Sequence, residues 1–514
     1  MNAAGIGQPA RRKEDPRLLT GRGRFIDDVN LPGQAHGHVL RSPHAHARIL
    51  DLDSCAAAAS EGVLAVYTAA DLAADGVGDL PPFYLPPAPE GELVFASGYP
   101  VLARGRVRHI GEPVAFVVAE TADAARAAAE RVEISVEALP AVTDTAEAER
   151  PGAPQIWDEA PGNLAYTFEK GDRAAVDAAF AAAARITEVE LINSRLIATS
   201  IEPRGALGSW DEESGRYTLY STGQMPHRTR RYVTEALGEP IDKMRVVVGD
   251  AAGAFGPRNM VYPEVVLVTW AARRLGRPVR WAGGGEERFL ADTQARDNVS
   301  RAEVALDAQG RFLALRVRTT AALGAYLSNM GALAPINGPF SLTGPYRTPA
   351  MHVEVRAVYT NTVRMDVFRG AGRPEAIYLM ERVVDAAARD LGLDRAEIRR
   401  RNMIPPAELP HTTAFGMTYD SGDYEGAMNM ALGGAGWAGF AARREESARR
   451  GRLRGIGMAA YVERNSGGGP DAPTHMRIEA DGTVTVLSGM MANGQGHETA
   501  FAQVVADRFG LDLG

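Results

Sequence analysis

The chain has 514 residues, 45% hydrophobic and 23% charged, with 55 glycines and 31 prolines. That is the composition of a soluble globular protein of about two to four domains, and it excludes wholesale disorder. A formal charge of −8 spread along the chain argues against nucleic acid or an anionic membrane as the main partner, and the single cysteine, Cys55, excludes internal disulfides and any cysteine-ligated zinc or iron–sulfur centre on this chain alone.

Residues 1–12 are small and polar without an apolar core, so no secretory signal is visible, and no stretch reaches the length of a membrane span. A reducing cytoplasm is the default compartment. Residues 1–24 read as a surface arm. Strands are predicted at 34–40 and 47–51, around the pairs His36/His38 and His44/His46. Each pair shares one face, so the four imidazoles are formally able to gather a metal, but no carboxylate cluster accompanies them and a structural role is preferred. A strand at 63–67 and a short helix come next, then a Pro-rich surface loop over 80–100. A strand at 113–118, a helix at 122–131 capped by Thr121 and a strand at 132–136 close a first domain near residue 140.

Residues 141–165, with Pro151, Pro154 and Pro161, read as a linker. A helix is predicted at 174–184, strands at 186–192 and 217–220, and a short helix at 228–237. The rest of the chain is organised around the stretch 242–276. The β-branched run Met244 to Val248 predicts a buried strand, and Gly249, Gly253 and Gly256 punctuate a loop. Pro263 then opens an almost wholly apolar helix that Gly276 stops. Strand, glycine loop and buried helix in that order can aim free amides at an anionic or polar ligand, or can be a plain βα joint.

Strands are predicted next at 279–281, 302–306 and 314–322, with 333–349 irregular, and a last strand of this group at 353–359. A second glycine loop, Phe368-Arg369-Gly370-Ala371-Gly372-Arg373-Pro374-Glu375, leads into a helix over 377–391, and Asp394 with Glu397 caps a further short helix. Residues 432–453 read as a connection and a solvated helix. Near the end, a strand at 483–488 leads through Gly494-Gln495-Gly496-His497-Glu498-Thr499 into a helix that Gly510 stops. No strand comes between that helix and Gly514, which predicts that the polypeptide ends inside a domain. Three such loops point to one extended ligand or to the ordinary joints of an α/β protein. A dinucleotide fold fails on spacing, since neither Gly249/Gly253/Gly256 nor Gly370/Gly372 forms G-x-G-x-x-G.

The chain resembles the molybdenum-binding large subunits of the xanthine dehydrogenase and aldehyde oxidase family, in particular the bacterial group typified by carbon monoxide dehydrogenase. The likeness rests on Asp15-Pro16-Arg17-Leu18-Leu19-Thr20-Gly21, Arg41-Ser42-Pro43-His44-Ala45-His46-Ala47-Arg48-Ile49, His109-Ile110-Gly111-Glu112-Pro113, Ile201-Glu202-Pro203-Arg204-Gly205 and the three loops, in that order. It implies an α+β / α/β fold: an arm (1–24), an a/b hammerhead domain (25–140), a linker (141–165), a first molybdopterin-binding domain (166–402) and an incomplete second one (403–514). It implies a Mo–molybdopterin cytosine dinucleotide cofactor held by its own dithiolene, with no direct protein ligand to the metal. Gln224, Phe255 and Arg369 are the implied residues at the reaction centre. Gly253, Ala254, Gly256, Phe368, Gly370, Ala371 and Gly372 line the metal and substrate sides, and Gln495, Gly496, His497 and Thr499 belong to the cradle for the pterin and pyrophosphate.

The implied activity is hydroxylation of a small organic substrate, an aldehyde or aromatic heterocycle, with oxygen from water. Electrons pass to a 2Fe-2S small subunit and an FAD-binding medium subunit in a cytoplasmic heterotrimer. The alternative is a split or inactive fragment, because the family's catalytic glutamate would lie downstream of Gly514, in a segment left for a second chain to supply. Ala252 and Ala254 replace two family glycines and Arg258 a common lysine. The substrate-side loop has Gly370, Ala371 and Gly372 where carbon monoxide dehydrogenases carry a copper-binding cysteine, so the resemblance does not extend to carbon monoxide oxidation.

Overall fold

The computed structural model describes residues 5–86, 94–463 and 474–513. A seven-stranded mixed sheet runs in the order Met244–Val247, Arg216–Ser221, Gly205–Asp211, Val279–Ala282, Ala35–Arg41, Pro113–Ala119, Val63–Tyr67. Its central seam is the parallel pairing of Ala35 with Val279, which joins hammerhead strands to strands of the next region. All seven residues of Pro113–Ala119 are buried, as an unbroken apolar strand requires. The helix Pro263–Leu275 (α1) lies on this sheet. Gly208 makes the approach possible: a Cβ there would sit 2.4 Å from the carbonyl oxygen of Val268. Pro263 opens α1 and Gly276, at φ +60°, closes it, as the sequence predicts.

A second sheet runs Leu164–Gly171, Ala350–Tyr359, Phe312–Gly324, Asn298–Leu306, Arg185–Asn193. Against it packs the helix Arg373–Leu391 (α2), burying Leu379, Val383, Val384 and Ala387. The next helix, Arg395–Asn402, starts where the Asp394 carboxylate accepts the amides of Ala396 and Glu397. The C-terminal unit is the hairpin Thr474–Ile478/Val484–Ser488 and the helix His497–Phe509 (α3). On α3 only Thr499 and Ala506 are buried, while Val504 and Phe509 are exposed.

Three segments depart from their sequence-based readings. The ends of the 80–100 stretch are core, not surface: Leu80 and Tyr99 are buried and bridge each other, and Phe83 stacks on Tyr232 (part of that stretch lies outside the described residues). Residues 141–165 are packed through Val142, Ala148, Ile156 and Ala160, because apolar residues alternate with the prolines that suggested a free linker. Residues 333–349 contain a helix, Leu333–Asn337, and a 3-10 turn, Gly338–Thr343, in whose first turn Pro339 sits. The N-terminal arm runs along the surface, as the sequence suggests, and Glu14 straps it to the start of α3.

Candidate functional site

The first glycine loop comes directly after the strand Met244–Val247 at the sheet edge. Gly253, Phe255 and Gly256 all take positive φ (94°, 52° and 106°), so the chain folds back on itself within four residues. Glu202 fixes its start: one carboxylate oxygen accepts the Ala252 amide at 3.1 Å and the other the Ile26 amide at 3.2 Å, and burial raises its pKa. Gln224 fixes its end, its Oε1 accepting the Gly256 amide at 3.0 Å while its own amide donates to the Arg258 carbonyl at 2.9 Å. The Asp250 amide donates to the Arg24 carbonyl at 2.8 Å, so three loop amides are committed to protein partners, fewer being free than the sequence implies. Those of Gly253, Ala254 and Phe255 have no hydrogen-bond partner among the described residues, nor has the Nε2 of Gln224.

The second loop lies against the first. The Arg369 amide donates to the Phe255 carbonyl at 3.0 Å, and a Cβ on Gly256 would meet the Val367 carbonyl oxygen at 2.5 Å. Ala371 has φ +49° between Gly370 and Gly372 at +95° and +91°. Gly372 is obligatory, since a Cβ would sit 1.9 Å from the Ala334 carbonyl oxygen. Buried Asp366 holds the loop's base, accepting the amides of Met330 at 3.1 Å and Val367 at 2.6 Å, with its pKa raised by burial. Phe255 and Arg369 are exposed at the surface where the loops meet.

The third loop reaches the first at its far flank, where a Cβ on Gly494 would touch the Ala251 carbonyl oxygen at 4.0 Å. The Gln495 side chain turns within its own loop, to Met491 O (3.1 Å) and His497 Nε2 (3.0 Å), and His497 stacks on Phe501. Thr499 faces the arm instead of an open cradle: its amide (3.3 Å) and hydroxyl (2.6 Å) both donate to Glu14, and its Oγ1 accepts the Lys13 amide at 2.8 Å. Asn493 Oδ1 and His497 Nδ1 are buried without a hydrogen-bond partner among the described residues. Arg17 ties the same junction together by pairing with both Asp250 and Glu498.

Behind the first loop lies a buried ionic cluster. Glu264, in the first turn of α1, accepts from Arg41 (2.6 Å) and Arg204 (2.7 Å), and Arg204 also pairs with Asp292 at 2.5 Å. Burial alone would raise the pKa of Glu264; the two guanidiniums hold it down at about 2. Arg204 stacks 3.8 Å from the Tyr262 ring, and the Tyr262 hydroxyl donates to Pro257 O, so the cluster reaches the loop through one side chain. Arg258, buried and with its pKa lowered by burial, donates to the Glu202 carbonyl.

Gln224, Gly253, Ala254, Phe255 and Gly256 thus join Phe368, Arg369, Gly370, Ala371 and Gly372 in one hydrogen-bonded unit. Gln495, Gly496 and His497 adjoin it, and Thr499 is turned away. Glu14, Glu202 and Asp366 hold these loops, a role that the sequence does not assign them: Glu14 and Glu202 act from segments remote in the chain, and Asp366 through its own burial at the base of the second loop. Of the histidines in the opening motif, His46 is buried with its Nδ1 2.8 Å from the Pro140 carbonyl oxygen, and His36 and His38 lie on the strand Ala35–Arg41.

Comparison with known proteins agrees with this architecture. Residues 20–140 match the aldehyde oxidase and xanthine dehydrogenase a/b hammerhead domain, and residues 156–403 and 430–514 match molybdopterin cofactor-binding domains. The chain is 34% identical to the carbon monoxide dehydrogenase large chain of Hydrogenophaga pseudoflava, over 99% of this chain and 65% of that one. It is 31% identical to the nicotine 6-hydroxylase large subunit of Paenarthrobacter nicotinovorans, over 98% and 62%. The structure superposes on quinoline 2-oxidoreductase from Pseudomonas putida 86 with a TM-score of 0.90 at 35% identity, covering 98% of this chain and 64% of that one. The chain thus spans a little under two-thirds of the length of these relatives. Hammerhead sheet, paired glycine loops and these matches together place the chain in the xanthine dehydrogenase/carbon monoxide dehydrogenase family, as a large molybdopterin-binding subunit.

Proposed function

We propose that this chain is the cofactor-bearing part of a molybdenum hydroxylase that oxidises a small organic substrate of the aldehyde or aromatic heterocycle class with oxygen from water. The observation that carries the reading is the unit formed by Gln224, the Phe255–Gly256 turn and Arg369. It leaves the Gln224 Nε2 and the backbone amides of Gly253, Ala254 and Phe255 without hydrogen-bond partners among the described residues, next to the exposed Phe255 ring.

These residues fit a long group rich in hydrogen-bond acceptors and donors. The glycines keep the backbone free of side chains where such a group must approach, and the buried Asn493 Oδ1 and His497 Nδ1 lack partners that it would provide. Gln224, the Gly253–Phe255 amides and the Gly370–Gly372 loop would hold the metal end. Gln495, Gly496 and His497 would hold the pterin, whose cytosine dinucleotide form belongs to the proposal. When bound, the group supplies two-electron redox chemistry at molybdenum. Gln224 would orient it: Gly256 locks the carboxamide oxygen, so Nε2 is the only end left to donate. Phe255 and Phe368 would exclude water and pack against a flat substrate, and the Arg369 guanidinium, unpaired among the described residues, would orient a substrate acceptor atom.

Electron transfer would run to 2Fe-2S and FAD partner subunits in the cytoplasm, because the one cysteine of the chain, Cys55, is exposed and remote in sequence from all three loops. Substitution of the copper-binding cysteine position by Gly370, Ala371 and Gly372 sets carbon monoxide aside as the substrate. The test is ¹⁸O-labelled water supplied to the molybdenum-loaded complex with a panel of aldehydes and N-heteroaromatics. The label should enter the product, and oxidation with oxygen from O₂ alone would overturn the reading.

A further inference from the structure

Arg296 and Asp297 are adjacent non-glycine residues that both take left-handed backbone (φ +73° and +59°). Such a conformation is unfavourable for a residue with a Cβ, and persists only where surrounding contacts over-determine it. Glycine would relieve the strain at position 296; an arginine stands there, so its side chain has to be in use. Asp297 is locked by the Arg195 guanidinium, which reaches it at 2.9 and 2.6 Å and also donates to Gln294 and Thr362. The backbone at 296 is thereby aimed at the substrate-side loop.

There the Arg296 side chain, 8% exposed, makes three contacts. Its Nη2 donates to the Arg369 carbonyl at 3.0 Å, its guanidinium lies 5.2 Å from the centre of the Phe368 ring, and its Nη1 faces Glu375 Oε2 as an ion pair, not as an aligned hydrogen bond. Glu375 sits in the first turn of α2 and its side chain is 7% exposed. The Arg369 residue is thus gripped from both sides, its amide by Phe255 and its carbonyl by Arg296. Arg369 itself remains exposed.

We propose that Arg296, braced by Glu375, is the positioning residue that sets Phe368 and Arg369 in place on the substrate side and couples that loop to the first glycine loop through the Phe255–Arg369 bond. This rests on the functional reading for what the loops do, but the mechanical claim stands apart from it. Arg296 is not a catalytic residue: it acts through the loop.

The test is hydrogen–deuterium exchange by mass spectrometry on the full chain, in Arg296→Met, Arg296→Lys and the double variant Arg296→Met/Glu375→Met, which removes both buried charges together and protects the fold. Arg296→Met should speed exchange at least tenfold at the hydrogen-bonded amides of Arg369 and Ala371 in the second loop and of Gly256 in the first, leaving 376–391 and the sheet strands as in the wild type. Arg296→Lys, which keeps the charge without the fork, should restore part of the protection. If the single variant loosens the whole chain, the double variant decides: local loosening of both loops supports the proposal. Wild-type exchange at both loops in any well-folded variant lacking Arg296 overturns it, as does loosening confined to 373–391. Molybdenum content is read on the same wild-type sample, so failure of the cofactor reading shows separately from failure of this one.

Discussion

The Glu14 carboxylate accepts both the amide and the hydroxyl of Thr499, 485 positions away, and so pins the start of α3 to the N-terminal arm. Glu14 is buried, and burial alone would raise its pKa; the Thr499 bonds outweigh it and lower the pKa below its usual value. A depressed carboxylate pKa contributes stability that is present above the unfolded value and lost as pH falls through the folded one. Glu14→Ala should free the arm, exposing Arg17 and Arg22 to trypsin under conditions where the wild-type arm is protected. Equal cleavage of both proteins would mean the strap holds by other contacts.

Gly253 and Gly256 of the first loop should not be equivalent. A Cβ on Gly256 strikes backbone, the Val367 carbonyl, whereas one on Gly253 strikes the Phe255 ring, which can turn aside. Both need positive φ, a strain of about 1–3 kcal/mol for alanine. Gly256→Ala should therefore lower the melting temperature more than Gly253→Ala, and should lose cofactor where Gly253→Ala retains a fraction. Thermal scans and metal content of the two variants check the order.

Removing one charge from the buried cluster should be costly. Glu264→Gln leaves Arg41 and Arg204 without their shared carboxylate, and breaking a buried pair from one side costs about 3–5 kcal/mol. The wild-type contribution is present above about pH 4.5, the ordinary value for the group, and is lost as pH falls toward about 2. Denaturant titration at pH 7 should show the loss, and the variant should lack that component of acid unfolding.

Glu112 works in the opposite sense. Fully buried, with the Tyr326 hydroxyl and the Arg108 amide donating to it, its carboxyl is pushed up to about 7 by burial. The folded state then holds a proton that the unfolded state has released, so stability falls as pH rises from about 4.5 to about 7 and is level above that. Glu112→Gln should remove this slope, gaining on the wild type by up to about 3 kcal/mol at pH 8 and little at pH 5. A parallel pH profile for the two proteins would contradict the assignment.

Much of the architecture was legible because it arises from local chemistry. Pro263 and Gly276 bracket α1, Asp394 caps its helix, and the glycine loops lie between strand and helix where the pattern put them. The family motifs added which loops share a site. The features that could not be read depend on contacts between distant segments. Nothing near Glu14 signals Thr499, nothing in Arg296-Asp297 signals left-handed backbone, and the prolines around Leu80 and Tyr99 mask two core residues. Thr499 shows the same limit in reverse: the resemblance implies a place in the cofactor cradle, whereas its amide and hydroxyl are bonded to Glu14 and Lys13 of the arm.

The central claim is that the paired glycine loops receive a molybdenum–pterin group. It is tested most directly by measuring molybdenum and pterin in the protein purified from molybdate-supplied cells, alone and together with any chains that co-purify with it. The account predicts close to one molybdenum and one pterin per chain in at least one of these preparations, both falling sharply in Gly256→Ala. Absence of both from every wild-type preparation would contradict it.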